Sequence, residues 1–598
     1  LNQVNIENST LNGLFNYSLH SFFFTNNNLQ ISYSNQGIIQ NISQLVNTII
    51  ATQIRNQAIT VVPNNPTNTN IVNITNSSII QSNLTLINSN TNFLSNDGIV
   101  IHNSNIANVT NTGQIQINTF FDNNFTGNVD STAGIFFNNV SSGSIINNGL
   151  IQVTGTTQNN FTSAGIHLFN SGQTNPIQIT SPNLMILDNN VRNIIINQSR
   201  AELLSFGFYV NGDPNSPNYL RPILNFNNSN LNLNNTILHL YIGNEIYLNV
   251  PYYIIENRDT SNVTGQFDLN FINHTPTNPN IKVGWFSNLR QNSSIIFTID
   301  PRFSLQNVTK QNIFVASKNI NDLIRNDIVM YNTLEKELNL QNKKPQIRSF
   351  NFYEKLNSDD FDSSILGRTF IIDKYLNNKL KAVLILGIVK IETKSNPKPQ
   401  YIPLDSKISF NSIGAYLNYK TINSYILIIA NHYNLRHKET SFTGINLDIP
   451  SQAKYNSYFT YLKAEYGLKN NLNIGIENIS TSKINYTTQT DVTLWQTTVS
   501  SKKQNITEIY LGYDHHSKDE ETFYYSNLKI RYTLNGNKLI TNEIIQNQEY
   551  QFEKKLSRLT IDGAMYFKPL KNSKLHLGLL AQYNKDYQKY ALIMRTRI

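Results

Sequence analysis

Few residues of this 598-residue chain stand in patterns that do chemistry. His515 and His516 are adjacent, and a metal would need their imidazoles to converge. Neighbouring residues of an extended strand point to opposite faces, so the pair reads as solvated rather than as a ligand set. Gly212-Asp213-Pro214 offers no serine nucleophile, and neither a Gly-x-Ser-x-Gly elbow nor a His-Glu-x-x-His zinc motif occurs. The carboxylates Asp97, Asp122, Asp130 and Asp188 are scattered through the first 200 residues. Glycoside hydrolysis needs two carboxylates in one site, and Asp122 and Asp130 would meet only through the register of successive coils. The expectation is therefore a chain that is not an enzyme, with no catalytic, cofactor-binding or metal site and no cofactor. A surface hydrolase is the alternative, favoured by an acidic cluster on one face.

Charge divides the chain in two. Residues 1–281 hold no Lys, five Arg and eleven Asp or Glu, a net charge of −6, and residues 282–598 carry 42 basic and 27 acidic residues, a net of +15. Asn contributes 64 of the first 300 residues. Two compositions imply two architectures. The basic half alternates its charges with apolar residues instead of clustering them, which argues against a nucleic-acid partner. The chain has no Cys, so disulfides and thiolate metal sites are excluded. Its longest pure apolar run is the eight residues Ala382 to Val389, too short for a transmembrane helix. Membrane residence would require a β-barrel. No leader is visible at Leu1-Asn2-Gln3-Val4, so the chain reads as a mature form or a fragment.

Between about residues 20 and 200 one phrase repeats. Gly98-Ile99 precedes Asn111-Thr112-Gly113-Gln114-Ile115, and Gly134-Ile135 precedes Asn147-Asn148-Gly149-Leu150-Ile151. Asn35-Gln36-Gly37-Ile38-Ile39 and Ala164-Gly165-Ile166 are weaker copies. Short strands of alternating Ile or Val joined at Asn-x-Gly corners are the pattern of a β-helix. Disordered Asn tracts lack such β-branched periodicity. Gly and Asn are expected to supply positive-φ corners, and Asn to ladder along the stack.

After about residue 345, twelve stretches alternate with period two, starting near 346, 365, 378, 407, 423, 457, 471, 505, 522, 557, 573 and 587. In the last, Tyr590, Leu592, Met594 and Ile598 share one face and Arg595 and Arg597 the other; Leu575, Leu577, Leu579, Ala581 and Tyr583 oppose Lys574, His576 and Gln582. Tight turns fall at Asn377-Asn378, Thr421, Asn470-Asn471 and Asn572-Ser573, and they alternate with long polar connections such as Glu392 to Asp405 and His437 to Tyr455. Short turns at one end and long loops at the other fit a membrane barrel with an apolar belt and a polar, charged interior. The 31 Tyr and 31 Phe suit the lipid–water boundary.

Residues 311–340 change period. Ile313, Ala316, Ile320, Ile324, Ile328, Tyr331, Leu334 and Leu338 recur every three or four residues, opposite Lys318, Arg325, Asp327, Glu335 and Lys336. At 1.5 Å per residue the 26 residues from Ile313 to Leu338 span roughly 39 Å, enough to thread a barrel.

Solenoid, helix and C-terminal barrel in this order resemble the type V autotransporters of the classical monomeric kind. The resemblance implies an all-β chain: an N-terminal right-handed β-helix, a helix, and a C-terminal 12-stranded antiparallel transmembrane β-barrel. Residues 1–200 would be the β-helical passenger and 201–305 its terminal rungs and junction. Residues 306–342 would be the helix in the pore and 343–598 the barrel. It further implies residence in a Gram-negative outer membrane with the passenger outside the cell. The partners would be outer-membrane lipid, the barrel assembly machinery and an extracellular glycan or protein ligand, with adhesion as the passenger's role. The chain departs from the family at two points: it ends in Ile598 where many members end in Phe or Trp, and 311–340 lacks the Asn-Asn pair at which some members cleave. A plain porin with an added N-terminal domain is a third reading, distinguished by an open lumen.

Overall fold

A computed structural model describes residues 16–24, 30–46, 53–63, 70–87, 94–121, 129–155, 163–275, 278, 280–285, 294–299, 304–337, 345–358, 361–395, 404–444, 447–468, 470–517, 524–568 and 575–597. Two compact units result, one of Leu1–Pro276 with Val283–Thr298, the other of Thr277–Lys282 with Ile299–Ile598.

In the first unit the alternating segments are strands of a solenoid. Leu94–His102, Ile106–Asn111 and Gln114–Phe121 make one coil, and Val129–Asn138, Ser142–Asn147 and Leu150–Gly155 make the next. Each strand pairs in parallel with its counterpart one coil away. A single coil leaves both edges and its apolar interior open, so stability comes from stacking. Ile59, Ile99, Ile135, Ile166, Ile194, Ile223 and Ile255 stand in register down one sheet, one per coil, and all are buried.

The Asn of the Asn-x-Gly phrase ladders as expected, but its Gly residues do not supply positive φ. Its Asn residues form a buried ladder: Asn35 donates to Asn76 at 2.8 Å, Asn76 to Asn111 at 2.8 Å, Asn111 to Asn147 at 2.7 Å, and Asn147 to Ser181 at 3.1 Å. Its Gly residues are required by space. A Cβ on Gly113 would stand 2.1 Å from the Ser78 carbonyl oxygen, and one on Gly149 would stand 2.1 Å from that of Gly113. Left-handed backbone occurs at another corner, at Asn103, Asn139 and Asn170, with φ of 48°, 58° and 47°. Asn tolerates that region better than other residues with a Cβ.

The second unit begins with helix α1 (Leu305–Glu337). Six strands follow: β1 (Gln346–Ser358), β2 (Phe361–Tyr375), β3 (Leu380–Ser395), β4 (Leu404–Lys420), β5 (Ser424–Thr443) and β6 (Ile449–Leu468). Six more are β7 (Leu472–Thr481), β8 (Gln504–His516), β9 (Tyr524–Asn535), β10 (Leu559–Phe567), β11 (Leu575–Asn584) and β12 (Tyr587–Arg597). Each pairs antiparallel with the next, and β1 pairs with β12, for example Tyr353 with Leu592, so the sheet closes.

The tight turns lie at one end of this barrel. At the first, the Asn377 side chain accepts from the amides of Lys379 and Leu380, both at 2.8 Å. The Asn572-Ser573 turn lies outside the described residues. At the other end two expected loops are partly strand: β5 runs to Thr443 and β6 starts at Ile449, so His437 to Tyr455 is mostly hydrogen-bonded. Loss of outward apolar residues does not end a strand that keeps its ladder. His515 and His516 close β8.

Alternation sorts the barrel side chains by face. Leu384, Leu386 and Ile388 on β3, Ile413 and Leu417 on β4, Ile509 and Leu511 on β8, and Tyr590 and Leu592 on β12 point outward and are 38–59% exposed. Their neighbours in sequence face inward and, apart from the half-buried Gly414, are buried.

Candidate functional site: a helix-filled lumen

Helix α1 fills the barrel. The described side chains from Gln306 to Ile328 are buried on every face of the helix. Its 33 residues give a length of about 50 Å. The amino end meets the long-loop end of the barrel. Ser304 donates to Glu543 at 2.6 Å, the Asn307 side chain accepts from Thr541 at 2.7 Å, and the Gln306 side-chain oxygen accepts from Tyr455 at 2.9 Å. Farther along, Asp327 meets Arg348 on β1 at 3.1 Å and Arg595 on β12, both near the tight-turn end. The chain therefore passes through the lumen before β1 begins.

The two faces of the helix meet two different walls. Lys318, Asp322 and Arg325 repeat at four and three residues, so they share one face. Arg325 is clamped by two carboxylates. Its guanidinium reaches Asp514 on β8 at 2.6 and 2.7 Å and Glu465 on β6 at 2.5 and 2.9 Å, with Tyr525 and Tyr425 hydroxyls at 2.9 and 3.0 Å. Both carboxylates take the guanidinium fork, the geometry in which Arg bonds best. Asp322 meets Lys529 at 2.9 Å, Lys463 at 3.5 Å, and Arg531. Lys318 meets Glu508 at 2.7 Å.

The other face carries Ile313, Ala316, Ile320, Ile324 and Ile328, in one buried apolar cluster with Phe350, Phe352, Ile385, Val389 and Phe410 of β1, β3 and β4. The interior is thus not uniformly polar: apolar side chains of β1, β3 and β4 lie in one cluster with the helix stripe, while ion pairs stand on the β6–β9 side and again on β1–β3, where Asp373 meets Arg348 at 2.7 Å and Lys381 at 2.9 Å. This explains the unbroken run Ala382 to Val389. Its outward residues belong to the barrel's outer surface, and its inward residues Val383, Ile385 and Val389 pack on the helix stripe.

Inward glycines give the aromatic rings of the charged wall their place. A Cβ on Gly475 would stand 2.3 Å from the Tyr510 ring, and one on Gly467 would stand 2.1 Å from the Tyr425 ring. Both phenols donate to Glu465, the partner of Arg325. At the long-loop end a cavity of about 90 Å³ is lined by Gln306, Glu439, Tyr486, Trp495 and Glu543. Burial pushes the Glu543 carboxyl up to about 7, against the hydrogen bond from Ser304, with the nearby Glu439 adding to the rise.

Of the helix charges singled out in the sequence, Lys318, Arg325 and Asp327 all meet barrel partners. The side chains of Tyr331, Leu334, Glu335 and Lys336, and all of Leu338, lie outside the described residues. Sequence reasoning missed Asp322 and the partners Glu465, Asp514 and Arg531. Their signal is parity: Lys529 and Arg531 alternate with Leu528, Ile530 and Tyr532, and Lys463 and Glu465 with Leu462, Ala464 and Tyr466. In the solenoid, Asp97 is wholly buried and accepts from Gln57, Ser131 and the Ala133 amide at 3.2, 3.0 and 2.9 Å. It serves as a bracket between coils. Asp188 accepts from the Gly155 amide. Asp122 and the Asp130 side chain lie outside the described residues.

No family model and no curated protein matches the sequence. Among solved structures the chain is similar to the translocator domain of the autotransporter NalP from Neisseria meningitidis. That match has 11% identity, covers 49% of this chain and 99% of that one, and has a TM-score of 0.38. The β domain of the Bordetella autotransporter BrkA matches at 10% identity over 42% of this chain and 98% of that one, with a TM-score of 0.27. The transport unit of the autotransporter AIDA-I from Escherichia coli matches at 9% identity over 44% and 91%, with a TM-score of 0.27.

Proposed function

We propose that this chain is an outer-membrane autotransporter of a Gram-negative bacterium, whose barrel anchors the solenoid and displays it outside the cell for adhesion. The observation that carries the reading is the route of the chain. Ser304 stands at the long-loop end, α1 runs through the closed barrel, and β1 starts at the tight-turn end. A barrel inserted with its tight turns in the periplasm and its long loops outside would leave everything before the helix outside the cell. The outward apolar residues supply the surface that lipid solvates, and closure leaves no unpaired strand edge in the hydrocarbon. A helix held by charged partners seals the hollow, which argues against an open diffusion channel.

Adhesion is the role that best suits the solenoid. Its half-buried Asn and Gln side chains repeat from coil to coil, as in Asn73 with Asn108, Asn83 with Asn118 and Gln40 with Gln81, a polar surface suited to glycans or proteins. Protease added to intact expressing cells tests display. It should remove the solenoid and leave the barrel as a protected fragment; a chain degraded only after the outer membrane is opened would refute display. Loss of cell binding to glycan- or protein-coated surfaces after shaving would support adhesion, and unchanged binding would count against it.

A further inference from the structure

The outer surface of the barrel is asymmetric beyond its apolar residues. On β3 to β6 the strands continue past the last apolar rows toward the long-loop end, and there the outward face turns basic. Lys390 and Lys394 on β3, Lys407 on β4, Arg436 and Lys438 on β5, and Lys454 on β6 are all exposed. Register sets three of them side by side: Lys407 faces Lys438, and Lys438 faces Lys454. One row nearer the apolar surface, Lys390 faces Ser409, which faces Arg436. Two acidic residues share this face, Glu392 opposite Lys407 and Asp405 opposite Lys394, so the cations outnumber them by four; none of the six cations forms a salt bridge among the described residues. On β8 to β12 the outward described residues include no Lys or Arg at all.

Like charges directly opposite on neighbouring strands destabilise a sheet. Of these cations Glu392 faces only Lys407, so Lys438 and Lys454 are left side by side with no carboxylate opposite either, and an anion from outside the chain would relieve them. We propose that this sector binds the phosphate-bearing headgroups of lipids in the leaflet at the long-loop end, an inference that rests on the membrane reading above. Its position fits. Tyr458, exposed and opposite Asn434, marks the upper limit of the apolar surface on β6. The Arg436 row lies two residues farther, about 7 Å along the strand. Lysine and arginine stems there can lie along the strand surface with their charged ends at headgroup level.

The test uses the full chain reconstituted into vesicles of phosphatidylcholine alone or with phosphatidic acid, and native mass spectrometry of the lipid it retains. The native chain should retain phosphatidic acid selectively. The variant Lys407→Gln/Lys438→Gln/Lys454→Gln should lose roughly fivefold in affinity per lysine removed. Lys374→Gln/Lys379→Gln, near the tight-turn end, should retain lipid as the native chain does. Equal retention by the triple variant would overturn the proposal, and so would complete displacement by inorganic phosphate, which would make the ligand a soluble anion. Insertion into phosphatidylcholine vesicles without phosphatidic acid preference would overturn this inference alone; failure to insert into either would overturn the membrane reading with it.

Discussion

Arg325 sits fully buried between Glu465 and Asp514, each held by further phenols or amides. A buried charge pair adds little net stability, but removing one partner strands the other. Arg325→Met should therefore destabilise the full chain by about 3–5 kcal/mol, seen as a lower unfolding temperature in detergent. Adding Glu465→Gln and Asp514→Asn to that variant should recover most of the loss, and no recovery would mean the clamp is not the cause. Gly475→Ala should cost about 1–3 kcal/mol, because the new methyl would collide with the Tyr510 ring that donates to Glu465. Wild-type stability in that variant would show that the ring yields without loss. Arg325 was legible as a helix charge, and parity marks Glu465 and Asp514 as inward residues. Which inward carboxylate meets which helix cation was not legible, because it depends on the barrel's stagger and on the depth at which the helix sits.

The repeating elements were easier to read than their ends. One isoleucine per coil and the Asn ladder announce the solenoid, whereas β5 and β6 run past the point where their outward residues turn polar. Asn111 both donates to Asn147 and accepts from Asn76, so Asn111→Ala breaks two rungs. It should lower the solenoid's unfolding transition by about 1–3 kcal/mol while leaving the barrel transition in place. His167 gives the same unit a pH dependence. It is buried against the Phe136 ring at 4.9 Å, without a hydrogen-bond partner for either ring nitrogen among the described residues, and burial lowers it to about 4. The folded unit then binds fewer protons than the unfolded chain between about 4 and the ordinary value of 6.5. Its contribution is complete above 6.5 and is lost as pH falls toward 4. Solenoid unfolding followed across that range should show the decline in the native chain and a flatter profile in His167→Phe; equal slopes would contradict it.

At the scale of the whole molecule, division of the chain by charge, the helix between the two parts and the count of twelve strands were all visible in the sequence. Hidden from it was the mixed lumen, since apolar residues of β1, β3 and β4 serve both the outer surface and the helix. The central claim is one of sidedness, and a chain without cysteine makes it directly testable. Asn190→Cys places a thiol on an exposed solenoid turn, and Asn378→Cys places one on an exposed tight turn of the barrel. A membrane-impermeant maleimide applied to intact cells should label Asn190→Cys at once and Asn378→Cys only after the outer membrane is opened. Labelling of Asn378→Cys on intact cells, or protection of Asn190→Cys, would contradict the account.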